Sequence, residues 1–161
     1  MPNILIKIMN YTPIKNEIAK FWKGDIEDSD ESLTHYSHDA SLFEVRPSLV
    51  VFPKDANDIC NLVKWVSENK SKYPELSITP RSAGTCMAGG PLGESIILDV
   101  TRYMGGIVSY SHVDPYVTKP FYPNSTQVKI TGEATVLPGY FYRDLEKVLE
   151  KENLKLQNEY I

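Results

Sequence analysis

Cysteine, clustered basic charge and long apolar runs are all scarce in this sequence of 161 residues. Its two cysteines, Cys60 and Cys86, are too few and too far apart for a disulfide framework or a clustered thiolate metal site, so we expect reduced thiols. The formal net charge is -4 without any block of Lys or Arg, which argues against an unaided nucleic-acid binder. No apolar run approaches the roughly 20 residues that cross a bilayer, and the first residues lack the pattern of a secretory signal. We therefore expect a cytoplasmic protein with no membrane span and no nucleic-acid partner.

Helical spacing of apolar residues is clear in three places. A helix is predicted over residues 13–23, with Thr12 as its cap and Gly24 at its end. The acidic stretch after it has no sustained period and predicts a surface connection with one short helix at most. The two later helices are predicted from their apolar faces, which are Ile59, Leu62, Val63 and Val66, after a cap at Asp55, and Phe141, Leu145, Val148 and Leu149.

Short apolar runs surround the second of these helices. "SLVVFP" precedes it and "LSITP" follows it, an order that predicts a right-handed crossover between parallel strands. "SIILDV" and "GGIVSY" are the next two predicted strands. The proline-rich "SHVDPYVTKPFYPNST" predicts an exposed excursion, and Gly132 and Glu133 then occupy the two positions of a predicted hairpin turn.

Glycine is also scarce, with nine in the chain, yet four of them fall between "LSITP" and "SIILDV". This connection leaves the carboxyl end of a predicted strand, which is where α/β sheets usually bind ligands. Glycine lets backbone amides approach an anion, so the stretch from Arg81 to Thr85 is suited to a pyrophosphate. The alternative is that Gly84, Gly89, Gly90 and Gly93 only permit tight turns. The stretch has neither a P-loop ending nor the dinucleotide glycine fingerprint, and it opens onto a strand, which removes any helix-dipole contribution.

Three runs carry a resemblance to a known family: "YSHDASLFEVRPSLVVFPKDANDICNLVKW", "ITPRSAGTCMAGGPLGESIILDVTRY" and "VLPGYFYRDLEKVLEKENLKL". In this order they resemble the FAD-linked oxidases of the vanillyl-alcohol oxidase type, and within these the D-lactate and glycolate dehydrogenase branch. The resemblance covers Tyr36 to about Leu156. It implies an α+β fold, the first lobe of a PCMH-type FAD-binding domain, with a mixed sheet and flanking helices.

The same resemblance implies a cofactor site. The run "PRSAGTC" corresponds to the loop that wraps the FAD pyrophosphate, and the implied FAD-binding residues are Arg81, Ser82, Ala83, Gly84, Thr85, Cys86, Gly89 and Gly90. "LPG" at 137–139 corresponds to a family element between a strand and a helix, and Tyr36, Ser37 and Asp39 match a pattern of structural or peripheral role.

Three departures from the family pattern have consequences. Ala83 stands where a glycine is usual and Cys86 where a serine is usual, so the loop is narrower and has a weaker donor. Thr85 stands where the covalent-flavin branch has a histidine, so we expect noncovalent FAD. Members of the family also continue into a second lobe and a substrate domain, which implies that residues 36–161 are the first lobe alone. Because the resemblance begins at Tyr36, residues 1–35 are expected to be an N-terminal helical extension.

The function that follows is the FAD-binding part of a flavin-dependent oxidoreductase that oxidises a 2-hydroxy acid such as lactate or glycolate. The alternative is a noncatalytic FAD-binding or assembly module that a partner chain completes; the reductase of cell-wall precursor synthesis, which shares this lobe, is a third possibility. We assign no catalytic residue. Neighbouring His35, His38 and Asp39 are interpreted as surface polar residues, with no metal assigned, and Asp99 and Arg102 as a structural pair.

Overall fold

A four-stranded mixed sheet forms the centre of the first of two compact units, which comprise residues 1–103 and 104–161. The computed structural model describes residues 10–112 and 132–151. In the first unit the elements are α1 (Thr12–Ile18), β1 (Asp25–Glu27), α2 (Asp30–His35), β2 (Leu49–Phe52), α3 (Ala56–Asn69), β3 (Ile78–Arg81) and β4 (Ile96–Asp99). The strand order is β1-β2-β4-β3, with β1 antiparallel to β2 and the other pairs parallel.

The core of this unit lies along its two central strands. Every residue of β2 and β4 is buried, as expected for parallel strands covered on both faces. Val50, Phe52 and Ile97 form a cluster against which Leu33 and Tyr36 pack. The predicted mixed sheet with flanking helices is therefore confirmed. The crossover is confirmed in part, because β2 and β3 run parallel but β4 lies between them.

β1 is an element that the sequence patterns did not reveal. It is three residues long, and Arg102 holds it to the sheet through Asp25 at 2.8 Å and Glu27 at 2.7 Å. The guanidinium of Arg102 also lies 3.4 Å above the ring of Phe52 in β2, and the hydroxyl of Tyr103 donates to Asp25 at 2.7 Å. β1 belongs to the stretch predicted as a helical extension, so that stretch contains a strand as well as helices. Its separation from the lobe at residue 35 stays a prediction.

α1 is shorter than predicted. It begins at Thr12, which lies inside the helix and is not its cap, and it ends at Ile18. The chain then turns toward β1, and the buried indole of Trp22 donates to the carbonyl of Asp25 at 3.1 Å. This side-chain bond closes a turn over residues 22–25, at the end of the stretch for which helical periodicity predicted a helix.

α3 agrees with its predicted cap and differs in its buried face. The side chain of Asp55 accepts the amides of Asn57 and Asp58, as expected for an N-cap. Leu62 is fully buried, whereas Val63 is 52% exposed. Burial on this helix is therefore confined to a narrower stripe than the apolar pattern predicted.

The second unit contains β5 (Ile107–His112), β6 (Gly132–Val136) and α4 (Tyr142–Lys151). β5 and β6 are antiparallel, and Gly132 pairs with His112. The predicted hairpin turn at Gly132 and Glu133 is wrong, because both residues already belong to the paired strand β6. In α4, Leu149 is buried while Phe141, just before the helix, is 47% exposed. Residues 127–131, just before the predicted turn, and most of the proline-rich excursion lie outside the described residues.

Candidate functional site

The glycine-rich connection, here called the glycine loop (residues 82–95), joins the carboxyl end of β3 to the start of β4. Because these two strands are parallel neighbours, the loop has to return from the carboxyl end of β3 to the edge of the sheet where β4 begins. Near its end it passes close above β3, where a Cβ on Gly93 would overlap the hydroxyl of Thr79. The prediction that the loop leaves the carboxyl end of a strand is confirmed.

Two glycines of the loop have backbone conformations that other residues rarely adopt. Gly84 has φ +68° and Gly89 has φ +77°, both in the left-handed region. Gly89 also accepts the amide of Leu92 at 3.1 Å, which closes a turn. Gly90 differs, because a Cβ there would meet only the Sγ of Cys86 at an ordinary 3.4 Å. The loop thus needs glycine at Gly84 and Gly89 for its shape.

Four successive amides of the loop, those of residues 83–86, are uncommitted among the described residues. Within the described part of the chain, the amides of Ala83, Gly84, Thr85 and Cys86 donate no hydrogen bond to a protein group. Ala83 and Thr85 are exposed, and Gly84 and Cys86 are half-buried. Successive free amides around a left-handed residue form a concave anion site of the kind that binds phosphates. The residues present therefore fit the pyrophosphate of FAD.

Arg81 lies beneath this loop. The residue is 8% exposed, and its Nη1 donates to the carbonyl of His38 at 2.8 Å. The guanidinium carbon is 5.1 Å from the centre of the Tyr36 ring, within the range of a cation–π contact. A Cβ on Gly84 would overlap the same guanidinium. The guanidinium of Arg81, which the sequence suggested as a phosphate contact, thus contacts protein groups instead.

Tyr36 connects this arrangement to the end of β4. Its hydroxyl donates to Oδ2 of Asp99 at 2.7 Å, and Oδ1 of Asp99 accepts the amide and the hydroxyl of Thr101, each at 2.6 Å. Burial, together with the hydrogen bond to Asp99, raises the pKa of Tyr36 well above its usual value. The phenol therefore stays protonated and acts as a donor. Asp99 and Arg102 are structural as predicted, but each pairs with other residues.

Residues 36–43, here called the Tyr36 segment, flank the glycine loop. Asp39 accepts the amide of Ser41 at 2.8 Å, and Ser41 in turn accepts the amide of Phe43 at 3.1 Å. Burial opposes ionisation of Asp39, yet hydrogen bonds from Ser41 and the charge of Arg81 bring its pKa below the ordinary value. The ring of Phe43 lies against Gly89. The resemblance had implied only a structural or peripheral role for this segment, and no local pattern in the sequence indicated its contact with Arg81.

The remaining predicted positions lie elsewhere. Cys86 is half-buried with a free thiol, and its sulfur accepts the amide of Ala88 at 3.4 Å. Leu137–Gly139 lies between β6 and α4 in the second unit, as the resemblance implied, where Gly139 donates to the carbonyl of Met104 at 2.9 Å. Across residues 10–112 and 132–151, no group of three His, Cys, Asp or Glu side chains could hold a metal ion. No helix in that same portion is long and apolar enough to span a bilayer.

Comparison with known proteins adds a family and several relatives. Residues 47–160 match a family described as "FAD binding domain". D-2-hydroxyglutarate dehydrogenase of Escherichia coli is 26% identical over 116 residues, which are 72% of this chain and 11% of that protein. The enzyme of the same name from Haemophilus influenzae is 29% identical over 99 residues, 62% of this chain and 9% of that protein. The chain thus spans about a tenth of the length of these relatives.

Solved structures of low sequence identity share the fold. Alkyldihydroxyacetonephosphate synthase superposes with a TM-score of 0.62 at 18% identity, covering 89% of this chain and 25% of that one. p-Cresol methylhydroxylase superposes with a TM-score of 0.58 at 19% identity, covering 84% and 23% of the two chains. These likenesses support the architecture that the sequence resemblance implied.

Proposed function

This chain belongs to the FAD binding domain family, and from that membership we propose that its glycine loop holds the pyrophosphate of FAD in a flavin-dependent oxidoreductase acting on a 2-hydroxy acid. The observation that carries the proposal is the run of uncommitted amides at Ala83, Gly84, Thr85 and Cys86 beside a left-handed glycine. Anions bind where several amides converge without a Cβ between them.

The residues of the loop take different parts in this site. The amides from Ala83 to Cys86 donate to phosphate oxygens, Ser82 and Thr85 add hydroxyls, and Gly89 and Gly90 let the chain turn away from the ligand. The methyl group of Ala83 and the thiol of Cys86 make the site narrower and poorer in donors than one built of glycine and serine. Thr85 has no ring nitrogen for a histidyl link, so FAD is held noncovalently.

The substrate class rests on the relatives, which are named as dehydrogenases of a 2-hydroxy acid. When bound, FAD supplies a ring that accepts a hydride from such a substrate. This chain contributes the pyrophosphate site from residues 36–161, and residues of a second lobe and a substrate domain complete the reaction. The free thiols of Cys60 and Cys86 are consistent with a cytoplasmic location.

A second candidate is the noncatalytic module completed by a partner chain. The observation that favours it is the exposure of large side chains on β5, where Val108 is 63% and Tyr110 43% exposed. Two-stranded sheets are marginally stable alone and gain from further strands or a covering layer. In this second candidate, a complementary lobe is the partner that covers these side chains.

FAD binding by the full chain tests the main proposal. Thermal unfolding with and without FAD is the measurement, and saturation at about 100 times the dissociation constant adds about 2.7 kcal/mol of stability. Riboflavin, which lacks the pyrophosphate, is the matched control and gives no comparable shift. Unfolding of the loaded protein releases all of the flavin if the link is noncovalent. A chain that FAD does not stabilise would contradict the proposal.

A turnover assay tests whether the chain completes the reaction by itself. FAD-loaded chain is mixed with D-2-hydroxyglutarate, D-lactate or glycolate and an artificial electron acceptor. Both candidates predict binding of FAD without reduction of the acceptor, whereas reduction would show that the chain carries out the oxidation without a second lobe or a partner.

A further inference from the structure

Arg81 is enclosed on several sides by protein groups. Its Nη1 donates to the carbonyl of His38 at 2.8 Å, and its guanidinium carbon lies 5.1 Å from the centre of the Tyr36 ring. Gly84 approaches the guanidinium so closely that no Cβ would fit between them. With 8% of its surface exposed, Arg81 is poorly placed to meet a ligand on the solvent side of the loop.

The groups around Arg81 are themselves anchored to the sheet and to the loop. The hydroxyl of Tyr36 donates to Asp99 at 2.7 Å, at the end of β4. Phe43, at the far end of the Tyr36 segment, lies against Gly89. The segment therefore reaches the glycine loop at two points, at Gly84 through Arg81 and at Gly89 through Phe43.

We propose that Arg81 is a positioning residue, which ties the Tyr36 segment to the glycine loop and so holds the amides of residues 83–86 in the orientation that receives a pyrophosphate. The inference rests on the proposed function. In this arrangement the backbone amides contact the phosphates, and Arg81 supports the loop from its buried side. The planar guanidinium can contact the Tyr36 ring and donate to His38 at once, which an ammonium group on a flexible stem does less well.

The conservative variant Arg81→Lys separates this role from a direct phosphate contact. Lysine retains the charge and binds phosphate well, so a direct contact would survive the change. Loss of the guanidinium contacts is expected to weaken FAD binding about tenfold. Tyr36→Leu, which removes the ring beneath Arg81, is expected to weaken FAD binding to a similar degree. The double variant is expected to lose less FAD affinity than the sum of the two single losses, because both changes break the contact between the Arg81 guanidinium and the Tyr36 ring.

A second readout does not require FAD. Backbone amide order parameters of residues 82–90, measured by NMR relaxation on the full chain, are expected to fall from about 0.85 to below about 0.6 in both variants. Arg46→Lys is the matched control, since Arg46 is an exposed arginine close in sequence to the Tyr36 segment, and it leaves both measurements unchanged. Thermal midpoints of all variants exclude global unfolding as the cause.

The outcomes distinguish this inference from the proposed function. Wild-type FAD affinity in Arg81→Lys and Tyr36→Leu would overturn the positioning role. The positioning role is also overturned if the loop stays rigid in both variants and only Arg81→Met, which lacks the charge, loses affinity. If the wild-type chain does not bind FAD but the variants loosen the loop, the proposed ligand is wrong and the role of Arg81 in ordering the loop stands.

Discussion

At the scale of single residues, Gly84 is the position where the shape of the proposed cofactor site is most constrained. Its φ of +68° and its contact with Arg81 both exclude a side chain. We expect Gly84→Ala to destabilise the chain by about 1–2 kcal/mol, the cost of a left-handed conformation for a residue with a Cβ. FAD binding should weaken as well, because relief of the overlap moves the loop amides. Urea unfolding and FAD titration measure the two effects.

Gly90→Ala is the control for this substitution. It lies in the same loop, its φ is not left-handed, and a Cβ there meets only Cys86 Sγ at 3.4 Å. Stability close to wild type is therefore expected. Equal losses in the two variants would show that the loop does not require the conformation described for Gly84.

The buried side chain of Asp58 in α3 accepts hydrogen bonds from two other segments of the chain. It is fully buried, and its carboxylate accepts the amide of Lys23 at 3.3 Å and that of Lys54 at 2.9 Å. Asp58→Ala leaves both amides without this acceptor, so a loss of about 2 kcal/mol in the free energy of unfolding is expected. Glu68→Ala, an exposed position on the same helix, should change it by less than about 0.5 kcal/mol. A small effect at Asp58 would mean that water replaces the carboxylate.

At the scale of elements, the attachment of β1 gives the sheet a dependence on pH. Hydrogen bonds from Tyr103 and Arg102 lower the pKa of Asp25 below its ordinary value. Burial opposes ionisation of Glu27, but hydrogen bonds from Ser32 and Arg102 bring its pKa below the usual range as well. Since both folded-state pKa values lie below the unfolded ones, this stabilisation is present above about pH 4.5 and is lost as the pH falls through the folded-state values.

Replacement of Arg102 tests this dependence. Arg102→Met should lower stability at pH 7 and flatten its decline between about pH 5 and pH 3, because the carboxyls lose a partner that favours their ionised forms. Urea unfolding across this range is the measurement, and Arg143→Met, at an exposed arginine of α4, is the control. An unchanged slope would contradict the assignment of the acid sensitivity to β1.

The elements also show which parts of the fold a sequence can predict. β2, β4 and the cap at Asp55 carry local signals, an apolar run or a capping side chain, and all were predicted. β1 carries none, because three half-buried residues become a strand only through pairing with β2. The turn at residues 22–25 is closed by the bond from Trp22 to Asp25, and Gly132 belongs to a strand through its pairing with His112. The glycine spacing in the sequence indicated the glycine loop. The position of Arg81 could not be predicted in this way, because it depends on a contact with Tyr36, which is distant in the chain.

At the scale of the whole molecule, the two units differ in how much apolar surface they bury. Among the described residues, the buried hydrophobic side chains of the second unit are Met104 and Leu149, whereas the first unit buries β2 and β4 completely. Local opening costs less free energy where few apolar contacts are lost. Hydrogen exchange measured by mass spectrometry should therefore be slow in β2 and β4 and considerably faster in β5 and β6. Equal protection in both units would contradict the link between the described apolar burial and local stability.

The glycine loop is much longer than the distance that it has to cover between β3 and β4. The return path along a four-residue strand is roughly 13 Å, whereas the chain of residues 82–95 could extend over roughly 45 Å. A helix in this connection would use its own amides for internal bonds, but an irregular chain with surplus length keeps them available. The part after Gly89 could therefore gain or lose residues while β3 and β4 keep their register. Such changes in length would leave both the sheet and the amides of residues 83–86 in place.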